Sequence, residues 1–148
     1  MEHIANKLDK VYSLIDNNDF TSAFSSLNEI IVDNQATREQ IADAINLKGL
    51  IVAMYCPGLT EYEEDETGLK YFIKAFEYNP YELGILFNIL SSFDELDMRQ
   101  AYTRNNKQMF IKSYEILKNK LFNDLDDEMK EQLNRKTNQY EKFKKEGF

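Results

Sequence analysis

The residue types that do chemistry are few in this chain. His3 is the only histidine. It sits at an extreme of the sequence, a poor place to build a Ser–His–Asp or Cys–His arrangement. Cys56 is the only cysteine. It precedes Pro57 at a turn, with no basic neighbour in sequence to lower its pKa, so it reads as a buried or idle thiol. One cysteine excludes an internal disulfide and a CxxC zinc pair. No GxxxxGK[ST] or GxGxxG run offers a phosphate cradle. No catalytic residue, metal site or cofactor is expected, and the chain reads as a non-enzyme.

What stands out is a block of carboxylates. "EYEEDE" places Glu61, Glu63, Glu64, Asp65 and Glu66 around Tyr62. The block lacks the D-x-D-x-D-G spacing of a calcium loop. Two readings fit it. As a contact surface, its carboxylates engage a basic cleft and Tyr62 is the packed anchor. As helix chemistry, Glu63 to Glu66 form the first turn of a following helix, where negative charge is favoured by about 0.3–1 kcal/mol.

The elements that must position these residues are helical. Gly is five, Pro is two and 43% of residues are hydrophobic, which leaves few breakers and enough apolar matter for a core. "HIANKLDKVYSLID" spaces Ile4, Leu8, Val11 and Ile15 along one helical face. "FTSAFSSLNEIIVDN" restarts the pattern after a short break, so the pair reads as an antiparallel hairpin. In "TREQIADAINLKGLIVAMY", Thr37 and Gln40 fit a capping box. This third helix is apolar on more than one side, which marks it as central. "CPG" ends it. A fourth helix carries Leu69, Phe72, Ala75 and Phe76 and stops at "NP". "YELGILFNILSSF" is a fifth. A long sixth is expected from Asp94 to Phe122, with a weak point at "RNN". Asp124 to Asp127 can cap a seventh bearing Met129, Leu133, Tyr140 and Phe143 on one stripe. The expected fold is all-α, about seven helices stacked as antiparallel hairpins in a single domain over 1–148.

Net charge is −8, and it is uneven: −4 over residues 1–60, −7 over 61–100 and +3 over 101–148. An acidic surface repels nucleic acid and favours a basic protein partner, although solubility alone also accounts for such charge. No run reaches the roughly 18 apolar residues of a membrane span, and the first residues lack the apolar stretch of a signal peptide. A cytoplasmic location and no membrane partner are expected.

Residues Asp43 to Pro80 resemble a tetratricopeptide repeat, a helix–turn–helix unit of about 34 residues. In that family a Gly lies within the first helix. A small residue opens the second, followed by an aromatic, an Ala and a Pro at set spacing. Here these are Gly49, Gly68, Phe72, Ala75 and Pro80. The chain departs from the pattern at Ile45, where a large aromatic is usual. It departs again in a turn about seven residues longer than the family's, which holds "GLTEYEEDET". A fainter unit precedes it, with Ala23 at the small position. The hairpin from Tyr81 to about Lys120 keeps the helices without the signature.

The resemblance implies an α-solenoid with a C-terminal capping helix and a peptide-holding groove lined by first-helix side chains. Those are Asp43, Asn46, Leu50 and Ala53. The basic residues that hold a peptide's terminal carboxylate in some members are absent. Two functions follow as expectations. One is a protein-binding module acting through the groove, the insertion at 59–67, or both. The other is an immunity or inhibitor protein that neutralises a basic toxin or nuclease through its acidic surface.

Overall fold

The computed structural model describes residues 3–62, 67–94 and 103–147. Among the described residues every regular element is helical. The chain forms two compact units, Met1–Pro80 and Tyr81–Phe148, each packed mainly on itself.

Unit 1 is built from α1 (Ile4–Asp16), α2 (Phe20–Ile31), α3 (Arg38–Leu50) and α4 (Leu69–Tyr78). The α1–α2 turn is tight because Asn18 takes the left-handed conformation, φ 61°, which asparagine tolerates better than most residues. Asp19 then accepts a hydrogen bond from the Ser22 N–H and caps α2. Thr37 and Gln40 form both halves of the expected capping box on α3. As expected, α3 is central: it packs on α2 and on α4. Its continuation Ile51–Tyr55 widens into a π-helical turn, and Pro57–Leu59 forms a 3-10 turn.

The crossing of α3 and α4 depends on glycine. A Cβ on Gly49 would lie 2.6 Å from Phe72 Cε1 and 2.9 Å from Tyr71 Cβ. Gly68 has φ 78°, and a Cβ there would strike the Gly49 carbonyl oxygen. Two bare backbones therefore meet where the helices touch, and Phe72 closes the gap beside them.

Unit 2 contains α5 (Leu83–Ser92), α6 (Arg104–Asn119), α7 (Asp127–Arg135) and α8 (Thr137–Lys145). Its core is an aromatic cluster: the rings of Phe93, Phe110 and Phe143 lie 4.9 to 5.7 Å apart in tilted and edge-on pairs. Tyr114 meets Thr137 at one end and Lys107 meets Glu146 at the other, so α6 and α8 run antiparallel.

Three expectations about boundaries need correction. The fourth helix begins at Leu69 and its first turn carries no acid, while Glu63 to Glu66, expected in that turn, lie outside the described residues. The sixth helix, expected from Asp94, begins at Arg104, and residues 95–102 of that expectation lie outside the described residues. Thr103 is extended, and its hydroxyl accepts from the Asn106 N–H to cap a helix that starts at Arg104. "RNN" is thus a helix start and not a mid-helix bend, because a capping hydroxyl there outcompetes continuation of the helix. The last helix is two, divided at Lys136, where ψ opens to −5°. Leu133 and Phe143 nonetheless reach the core from the expected stripe.

Candidate functional site

The described part of the acidic segment is held down by a residue that is itself out of sight. Lys48 lies on α3 between two buried neighbours, Leu47 and Gly49, and is buried itself. Its Nζ donates to Asn28 Oδ1 at 2.5 Å and to Glu61 Oε1. The Phe24 ring lies 4.6 Å and the Tyr71 ring 5.4 Å from the same ammonium. A buried cation needs such compensation, here from one carboxylate, one amide oxygen and two π faces.

Glu61 is joined to Tyr71 as well. The Glu61 N–H donates to Tyr71 Oη at 2.7 Å, and the phenol donates to Glu61 Oε1 at 3.2 Å. Burial, with the Glu61 carboxylate assisting, pushes the Tyr71 phenol up to about 12. Tyr62 follows: its ring packs edge-on against Tyr71 at 4.8 Å, and its N–H donates to Thr60 Oγ1. Of the predicted contact residues, Glu61 and Tyr62 are thus brought together on α4. Glu63, Glu64, Asp65 and Glu66 lie outside the described residues.

The predicted groove residues Asn46 and Leu50 lie half-buried on α3, with Asp43 exposed one turn before them. Tyr12 of α1 borders the same face. Its phenol is raised by partial burial and by the carboxylates of Asp43 and Asp9. Met54 continues the line one turn beyond Leu50, and Tyr55 stacks on Phe20 at 4.9 Å. Tyr12 is 53% and Met54 66% exposed. The face is thus apolar toward the end of α3 and acidic toward its start.

A cleft of about 350 Å³ opens in unit 2 between α6 and α7–α8, lined in part by Tyr114, Glu115, Asn119, Asn134 and Tyr140. Tyr114 and Tyr140 stack at 4.2 Å. Tyr140 donates to Glu115 at 2.6 Å, and Lys144 donates to the same oxygen at 3.1 Å. The hydrogen bond from Tyr140, with Lys144 beside it, holds the Glu115 carboxyl below its usual range. That same bond lifts the Tyr140 phenol to about 12. Glu115, Tyr140 and Lys144 pair with one another across the cleft, so it reads as a brace between helices.

Sequence reasoning missed Lys48 and Tyr12. Lys48 had a signal: it is the one charged residue in "AINLKGLIV", a stretch otherwise too apolar to offer it water. Tyr12 had none, because it lies off the apolar stripe of its own helix. The fold and these surfaces define an all-α chain of helical hairpins. No protein-family model, curated protein or solved structure matches the chain. Among the described residues no helix is long and apolar enough to cross a membrane.

Proposed function

We propose that this chain is a non-catalytic, cytoplasmic protein-binding module with a tetratricopeptide-like unit over Asp43–Pro80. Contact between Gly49, Gly68 and Phe72 supports the repeat-like reading, since it accounts physically for three of the five residues that carry the resemblance. The observation that carries the function is the open line along α3 and its continuation: Asp43 and Met54 are exposed and Asn46 and Leu50 half-buried, with Tyr12 exposed near Asp43, while Ala42, Ala44, Ile45 and Leu47 are buried. Such a line can take the apolar side of a partner segment, and Asp9 and Asp43 can take a basic group on it.

A second reading is an inhibitor of a basic toxin or nuclease, supported by the five acids of 61–66 and by net charge −8. Capture from native cell extract separates the two. The comparison is wild type, a face variant (Tyr12→Ala with Leu50→Glu), and a segment variant with Glu61, Glu63, Glu64, Asp65 and Glu66 changed to Gln or Asn. A partner lost by the face variant alone supports the module. A basic protein lost by the segment variant alone, and released by salt, supports the inhibitor. A partner kept by both folded variants overturns both surfaces.

A further inference from the structure

Lys48 is an odd choice for its position. The space between Phe24 and Tyr71 suits an apolar side chain, and replacing a buried ion pair by a packed hydrophobe is often neutral or stabilising. What methionine could not do is hold a carboxylate. The Lys48 ammonium does, and its side chain is only 7% exposed while that of Glu61 is 50% exposed. The pair thus runs from the core outward to the start of the acidic segment. We infer that Lys48 is the positioning residue for Tyr62: through Glu61 and Tyr71 it fixes the pose of that side chain without touching a partner itself.

Each link is in place. Asn28 holds the ammonium from α2. The ammonium holds Glu61. Glu61 is bound to Tyr71 through both its backbone N–H and its carboxylate. Tyr71 presents the ring on which Tyr62 rests. Glu61 is accordingly an anchor, and Tyr62 is the side chain it delivers. Its use in binding rests on the reading that residues 59–67 meet a partner, but the anchoring is testable without one.

The test is amide hydrogen exchange on the full chain. The informative amide is that of Glu61, which donates to Tyr71; the Phe72 amide, which donates to the Gly68 carbonyl, is the control within α4. Lys48→Met and Glu61→Ala should each speed exchange at the residue 61 amide by about tenfold or more, with Phe72 unchanged. The double variant should be no faster than the faster single, because both break one chain of contacts. Glu61→Ala removes only a half-exposed side chain, so it answers even if Lys48→Met fails to fold. Unchanged exchange at the residue 61 amide in a folded variant overturns the inference. If the Glu61 amide is freed and partner capture is unaffected, the anchoring stands and the contact role of the segment falls.

Discussion

Tyr71 and Tyr140 carry the clearest titration signatures in the chain. Both phenols are pushed up to about 12, Tyr71 by burial first and Tyr140 by its hydrogen bond to Glu115 first. A raised phenol pKa means that the fold favours the neutral form. The stabilisation is present in full below about pH 10 and is lost as pH rises toward 12. In a phenolate-absorbance titration these two phenols should ionise only as pH nears 12, and unfolding should accompany them. Glu115→Gln should bring Tyr140 down and leave Tyr71 in place. A titration in which all tyrosines ionise together near pH 10 would refute this. Glu115 has the opposite sign. Its folded pKa is depressed, so its contribution is present above the usual carboxylate range and lost as pH falls through its lower folded value. The Lys48 cluster shows why residue-scale function was hard to read. Asn28 and Glu61 lie 20 and 13 residues from Lys48 in sequence. A lysine on a helix ordinarily faces water, and only tertiary packing makes this one a cage.

Among the elements, local signals were legible where the chemistry is local. Thr37 with Gln40, and Asp126 within the acidic run before α7, act as caps because a side-chain oxygen and a backbone N–H three residues on are brought together by the helix itself. Apolar stripes named the buried faces of α2 and α4 for the same reason. The break before α6 was not legible, because Thr103 lies inside a pattern that a helix could also carry. Thr103→Ala should therefore cost about 1 kcal/mol in denaturant unfolding, as lost N-caps do. A cost near zero would mean the hydroxyl is not capping. The α3–α4 crossing gives a larger expectation. Gly49→Leu drives a side chain into Phe72 and Tyr71 and should destabilise by about 1–3 kcal/mol or more. Gly68→Ala should also destabilise, through its positive φ and the Gly49 carbonyl. A Gly49→Leu variant melting with the wild type would remove the physical basis of the repeat resemblance.

Across the whole molecule, charge and packing divide in the same place. Residues 1–80 hold fourteen carboxylates against six basic groups, whereas 81–148 hold twelve of each. The entire net charge of −8 thus belongs to unit 1, which also carries the open side of α3 and the anchored Glu61 and Tyr62. Each unit has a core of its own: Val11, Leu27, Ile45 and Phe72 in the first, Leu86, Phe110, Leu117 and Phe143 in the second. A polypeptide of residues 1–80 is expected to fold alone, giving a helical circular dichroism spectrum and a cooperative melt. Its stability should be modest, about 3–5 kcal/mol, as for single cores of this size. If the proposed surfaces are the binding surfaces, this fragment retains the partner captured by the full chain. Its association should slow with added salt to the same degree, since steering depends on the field of unit 1. Residues 81–148, with no net charge, should retain neither. A folded 1–80 fragment that captures nothing, beside a full chain that does, would move the binding site out of unit 1 and overturn both proposed surfaces together.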